Sequence, residues 1–455
     1  MTQSWTWRSK VGVGVFGLML LVILAWVASN SRWADASPRP VPAALQPRAV
    51  TLAPEHNAFF DGIGLEAPRG QSPNLWGQAR WRGEAEAAAP RWAWPSSSAW
   101  ACKASETDCM AQWRANAAVL REQMAAAAPL GERCAQWADA GEVQEPARER
   151  PESGPLKDLP FAALPLPSWS GGIACARWFQ VQAASATEPA TEPATALRWL
   201  ARSAALSRKL ATGMQSLPGQ ALSWAMLEQH AVFVSQWAAA QPQQAAAALA
   251  VVAPLPAAAH ELRWVATESD LVRHTVLELP QDCRREHPEA LGAQRSGWDR
   301  FTCATQLGLL HQQSVQDHED ALLAGLAASR QGLCAAAKSR AWQPKPAAEL
   351  AMPGALHWRN TTGQWLLDVS AALSNHAGYV ARQADLELHQ TAARLALQLD
   401  AVPSAERADW LAAQNLPADL KPRLRLDGHA LIARGCRNEV EPGAAPPLRW
   451  ALAPS

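Results

Sequence analysis

Residues able to do chemistry are thinly spread along this chain of 455 residues, and their spacing tests what they could do together. His311 and His318 flank an acidic run, Asp317-His318-Glu319-Asp320. Such a set could hold a divalent cation. Seven helical residues, however, separate the two rings by about 10 Å along the axis. The zinc pattern HExxH, with histidines four residues apart, is absent. A solvated helix face is therefore expected there. His230 lies in an apolar stripe, where a hydrogen-bonded core histidine is expected rather than a catalytic base. Gly12-Val13-Gly14-Val15-Phe16-Gly17 has the GxGxxG spacing of a dinucleotide loop, with Asp35 near the acidic position. That loop needs a strand before it and a helix after it. Here a short polar tail precedes and an uncharged run follows, so small residues easing helix packing in lipid are the simpler reading. No GxSxG elbow, SxxK, Walker loop or EF-hand loop occurs. Asn360-Thr361-Thr362 is a formal glycosylation sequon of little weight in a bacterial chain.

Eight cysteines remain: Cys102, Cys109, Cys134, Cys175, Cys283, Cys303, Cys334 and Cys436. An even number suits disulfides in an oxidising compartment, although eight allow 105 pairings. Cys102 and Cys109 are the closest pair, and closing so short a loop is worth about 2.5 kcal/mol in the loop-entropy model. A bridge between these two is predicted, with at least one more among the other six. The bland alternative is buried, inert thiols. Zinc is disfavoured because no CxxC occurs. A cysteine nucleophile ranks below a structural role.

The compartment follows from the stretch VGVGVFGLMLLVILAWVA, Val11–Ala28, which has no charged or polar side chain. As a helix it spans about 27 Å, near the hydrocarbon thickness and longer than the usual apolar core of a signal peptide. Trp5, Trp7, Trp26 and Trp33 bracket it, and Arg8 and Lys10 precede it on the side expected to stay cytoplasmic. A retained anchor is favoured. Ala34-Asp35-Ala36 before Ser37 keeps a cleaved signal as the alternative. Lys+Arg and Asp+Glu balance at 41 each, which leaves no electrostatic case for nucleic acid. Scarce lysine and abundant alanine point to a GC-rich bacterial genome. The 23 tryptophans are read as core filling before sugar platforms.

These residues must be positioned by helices. Residues 1–10 read as a cytoplasmic tail, 11–28 as the transmembrane anchor and 29–56 as a Pro-rich tether. A first lobe follows at 57–186, with a helix over 106–140 and a loop over 141–170. TEPATEPAT, at 187–195, marks a boundary. A helical lobe spans 196–342. Trp199, Leu206, Leu210 and Met214 form one stripe, Pro218-Gly219 breaks the chain, and Leu222, Met226, His230, Phe233 and Trp237 form a second. Helices are predicted over 258–279 and 298–330, separated by Pro280 and Pro288. A C-terminal α+β lobe at 355–455 holds helices near 378–400 and 404–414. It ends in RLRLDGHALIAR, where Asp427-Gly428 between apolar runs predicts a type I′ hairpin.

With its anchor, the NAFFDGIGLEAP start at Asn57, the Cys102 and Cys109 pair before a helix, and RNTTGQ at 359–364, the chain resembles uncharacterised single-pass envelope proteins of GC-rich proteobacteria. No activity comes with that resemblance. The expectation is a mainly α protein of the bacterial inner membrane, with its N-terminus cytoplasmic and its bulk periplasmic. It would act in interaction or scaffolding, beside a secretion system or as an immunity-type inhibitor. Its partners would be the inner membrane and another envelope protein, with no nucleic acid, no cofactor, no metal and no assigned catalytic residue. The alternative is an envelope hydrolase acting on peptidoglycan or lipid through dispersed residues.

Overall fold

The computed structural model describes residues 7–84, 94, 100, 102, 108–150, 156–157, 159, 161, 164, 169–186, 193–284, 309–343, 358–360, 362–364, 367, 375–417, 419–441 and 447–452. The chain is mainly α, with a small C-terminal three-stranded antiparallel sheet. Helix α1, Trp7–Ser29, contains the GxGxxG glycines, and residues 7–11 before them are helical rather than a strand. Its side chains are described from Gly14 on, and Val15, Phe16 and Leu18–Leu24 are exposed. Among the described residues no helix is long and apolar enough to cross a membrane. The side chains of 11–13, where the expected anchor begins, lie outside that set.

The segment read as a tether, 29–56, lies against the body. Asn30 is wholly buried, and its Nδ2 donates to the carbonyls of Trp26 at 3.0 Å and Trp358 at 2.7 Å. Leu45 is wholly buried. Prolines keep this strap extended, and its polar groups find partners on the helices beneath it.

Asn57 caps α2, Ala58–Ile63, and Ser72 caps α3, Pro73–Trp81. The two helices cross closely because Gly64 and Gly77 stand at the contact. A Cβ on Gly64 would lie 1.8 Å from the Pro73 carbonyl oxygen, and one on Gly77 would lie 1.9 Å from that of Phe60. The helix predicted over 106–140 is three: α4 Cys109–Ala115, α5 Ala117–Ala126 and α6 Ala128–Asp139. Pro129 sits in the first turn of α6, where a missing N–H does no harm, but it cannot continue α5.

Helix α7, Ser170–Ser185, gives no amphipathic signal because it is buried nearly all round, through Cys175, Trp178, Phe179 and Val181. It packs with α8, Pro193–Gly213, and α9, Leu217–Ala240. Helix α9 is central and buries Trp224, Phe233 and Trp237 on different faces. Further helices are α10 Ala245–Val251, α11 Trp264–Arg284, α12 His311–Ser329, α13 Leu333–Lys338, α14 His376–Leu399, α15 Arg407–Ala413 and α16 Arg437–Val440. Helix α11 runs on through Pro280, where a break was predicted. The proline lies in its last turns and forfeits one hydrogen bond, while the helix keeps its packing on α9 and α12. Pro288 and residues 298–308 lie outside the described residues.

One core gathers α7, one side of α9, α14 and the sheet; a second gathers the other side of α9 with Trp264, Trp342 and α14. Both cross the lobe limits drawn from the sequence. Strands β1 Leu424–Asp427, β2 Ala430–Ala433 and β3 Leu448–Ala451 pair in the order β1-β2-β3. Asp427 pairs with Ala430, so the turn residues are Gly428 and His429 rather than Asp427 and Gly428. Only Gly428 has positive φ, +59°, the pattern of a type II′ turn. The third strand was not predicted from the sequence.

Among the described residues three disulfides are formed: Cys102–Cys109, Cys134–Cys175 and Cys334–Cys436, with Cα separations of 5.7, 5.3 and 5.6 Å. They suggest an oxidising, extracytoplasmic setting.

Candidate functional site

The structure separates the histidines singled out above and gives each a packing role. His230 is 2% exposed on α9, with Nδ1 3.1 Å from Ser203 Oγ and Nε2 3.3 Å from the Val251 carbonyl. Burial pushes its pKa down to about 4. His311 and His318 both lie on α12, and that face is not solvated as expected. Glu319 is wholly buried, accepting from Arg39 at 3.1 Å and Arg273 at 2.8 Å. Arg39 also reaches Asp320 at 2.8 Å, and burial beside His376 holds the His318 pKa at about 4. The acidic run is the seat of the strap. Asp35, four residues earlier, caps α12 by accepting from the backbone N–H groups of Gln312 and Gln313, each at 3.0 Å. The sequon residue Asn360 is buried too, accepting from Leu310 N–H at 2.8 Å. Among the described residues no group of three His, Cys, Asp or Glu could hold a metal ion.

The concave surface lies elsewhere, where the strap, the segment after α6 and the α8–α9 junction meet. Residues 143–145 run beside Gly213, whose carbonyl accepts from Glu145 N–H at 3.0 Å. Only glycine permits this approach, since a Cβ there would sit 1.9 Å from the Val143 oxygen. Gln144 Oε1 takes the strap N–H groups of Thr51 and Leu52 at 2.8 and 3.2 Å. Gln215 Oε1 accepts from Arg48 N–H at 2.9 Å. Between these lies a cleft of about 910 Å³, lined by Arg48, Thr51, Glu142, Gln144, Lys209 and Arg263. Lys209 is already committed, donating to the carbonyls of Trp137, Ala138 and Ala140.

Glu145 lines both this cleft and a second cavity of about 160 Å³. Its carboxylate accepts from the Gln215 and Ser216 N–H groups, each at 2.7 Å, and from Ser216 Oγ at 2.6 Å. It thereby holds the turn that leads into α9, whose first turn is capped by Ser216 Oγ accepting from Gly219 N–H at 3.2 Å. Burial raises its pKa, and the bonds from Ser216 and Gln215 oppose that rise. The second cavity is walled by Trp81, Phe161, Trp169 and Leu271, and α11 brings Glu268 and Asp270 to it. Burial pushes Glu268 up to about 7. Asp270 is raised by burial also, opposed by His274 and Arg273. His274 lies 3.5 Å from Asp270 and stacks on Phe161, ring centroids 4.6 Å apart. Arg148 sits over Trp81, 5.4 Å from the ring centroid.

This arrangement can hold a ligand with an apolar part, and it can move a proton. A carboxyl half-protonated near neutrality suits general acid or base work. Sequence reasoning did not single out Glu145, Glu268 or Asp270, because no local motif marks residues joined only by the fold. The usable signal was Thr267-Glu268-Ser269-Asp270, acidic side chains inside a helix rich in apolar residues. No family model, curated protein or solved structure matches the chain.

Proposed function

We propose that the protein is a bitopic inner-membrane protein whose periplasmic body presents a binding surface to another envelope protein. The observation that carries this reading is the strap. Asn30, Asp35, Arg39 and Leu45 are each engaged by the body directly after α1. A body mounted so closely on an anchor holds its surfaces at a set height and angle, as an interaction platform requires. The exposed apolar side chains of α1 from Val15 to Leu24 favour a lipid surrounding, and the disulfides favour the periplasmic side. The strap-bounded cleft is the surface offered to the partner. Full-length chain should stay in carbonate-washed membranes, and a phosphatase fused after Ser455 should be active. A soluble chain beginning at Ser37, or an active galactosidase fusion at the same site, would refute the topology. The complex isolated in detergent should have defined stoichiometry and weaken at least tenfold on reversal of charge at Arg48 and Glu142, which face the cleft. An unchanged complex would refute this use of the cleft.

A second reading is favoured by one observation, the raised pKa values of Glu268 and Asp270 in an aromatic-walled cavity. On it the body is an envelope hydrolase with Glu268 as general acid. Purified protein would then cleave peptidoglycan or lipid substrates, and Glu268→Gln would lower the rate by about 10²–10⁴-fold. No turnover by the wild-type chain would dismiss it.

A further inference from the structure

The end of α1 is ringed by exposed groups of one chemical kind, drawn from two distant parts of the chain. Trp33 is 85% exposed and Trp358 53%. Beside them stand the exposed arginines Arg32 and Arg359. Asn30 holds the two segments together through its bond to the Trp358 carbonyl, and the Arg359 guanidinium binds the Ala34 carbonyl. Other described tryptophans fill cores: Trp224, Trp237, Trp264 and Trp450 are at most 1% exposed. These two are left in the open where, among the described residues, the body meets the end of the helix.

Their height can be read from the helix. The uncharged run ends at Ala28, so Asn30, and with it the Trp358 backbone, lies about 3 Å further along the axis. Trp33 lies at most about 10 Å beyond Asn30, within reach of an indole folding back. The polar layer on each side of the hydrocarbon is about 5–7 Å deep. Indole favours that layer, and guanidinium pairs with phosphate in bidentate fashion.

We propose that Arg32, Trp33, Trp358 and Arg359 form a face that seats on the phospholipid headgroups of the membrane α1 enters. The proposal rests on α1 being a retained anchor and adds an orientation to it. The occupant is phospholipid because the face is continuous with the exposed apolar side chains of α1 and because its charges complement phosphate. The seat fixes which way the cleft looks as well as how high it stands.

The test is photocrosslinking in whole envelopes. A benzophenone amino acid is placed in the full-length chain at position 33, 358, 21 or 75, one at a time, and radiophosphorus-labelled lipid adducts are counted. Position 21 reports on α1, and position 75 is an exposed leucine of α3. Lipid adducts at 33 and 358 should exceed those at 75 by at least fivefold. Adducts at 21 with background levels at 33 and 358 would overturn the seat and leave the anchor standing. Protein adducts in place of lipid at 358 would also overturn it, making the face a protein interface. Background levels at 21 as well would overturn the anchor reading, and the seat with it.

Discussion

At the scale of single residues, buried titratable groups pull stability in opposite directions with pH. His230 has a folded pKa of about 4 against 6.5 in the unfolded chain. Between these values the unfolded state binds the proton and the folded state does not, so its contribution is complete above pH 6.5 and is lost as pH falls toward 4. For a fully buried group the loss is on the order of 3 kcal/mol. His318 and His376 are shifted in the same sense to about 4. Glu268 is the reverse case. Its pKa rises from 4.5 to about 7, so the folded state binds the extra proton and stability is lost as pH rises through that window. Urea midpoints should therefore fall from pH 7.5 to pH 5, with His230, His318 and His376 outweighing Glu268 and the other raised carboxyls, among them Glu145 and Asp270. The fall should be smaller in His230→Gln. Glu268→Gln should raise the melting temperature at pH 8 and leave it unchanged at pH 4.5; a gain of equal size at both would mean that the carboxyl is not held protonated by the fold.

At the scale of elements, two contacts set local geometry through backbone atoms. Gly77→Ala would drive a Cβ into the Phe60 carbonyl where α2 crosses α3, and should cost about 1–3 kcal/mol by forcing the helices apart. Equilibrium unfolding measures it, and no loss would mean that α2 and α3 do not pack as described. Glu145→Ala strips the turn that leads into α9 of its acceptor and should cost about 3 kcal/mol, while Glu145→Gln keeps part of the bonding and costs less. These contacts also mark how far the sequence could be read. Helices α8 and α9 were legible because apolar residues recur at helical spacing over about four turns, Trp199 to Met214 and Leu222 to Trp237. Helix α7 was not: it has 16 residues against 24 in α9, and with Trp178, Phe179 and Val181 buried on several faces too short a stripe remains. The strap was read as a tether because its prolines forbid helix; that rule says nothing of Leu45 or Arg39 finding places on the body. The Asp427-Gly428 signal found the hairpin but misplaced its turn by one residue, since the register is set by the burial of β2. The cavity around Glu268 had no local signature, because Trp81 of α3, Glu145, Arg148, Phe161, Trp169, the start of α9 and α11 meet there only in the folded chain.

At the scale of the molecule, the disulfides tie long loops as well as short ones. Among the described residues six cysteines are bridged, so unreduced protein from the envelope should take up at most two equivalents of alkylating reagent, and eight equivalents would dismiss the oxidising setting. In the loop-entropy model the Cys102–Cys109 bridge, over 7 residues, is worth about 2.4 kcal/mol, and the Cys334–Cys436 bridge, over 102, about 4.7 kcal/mol. The double variant Cys334→Ser/Cys436→Ser should accordingly unfold at lower denaturant than Cys102→Ser/Cys109→Ser, with an inverted order dismissing the loop-entropy account for this chain.

The same long bridge sets a timetable for a chain exported from its N-terminus. Cys102–Cys109 and Cys134–Cys175 can close while the rest is still being threaded out. Cys334 must wait for a partner 102 residues behind it, roughly 5–20 s at the pace of synthesis. For that interval a reactive thiol stands in an oxidising space with the wrong neighbours already emerged. With the body in the periplasm, as proposed, maturation should therefore depend on a periplasmic disulfide isomerase. In a strain lacking one, pulse-labelled chains should collect as mispaired forms that involve Cys334, while Cys102–Cys109 forms at its normal rate.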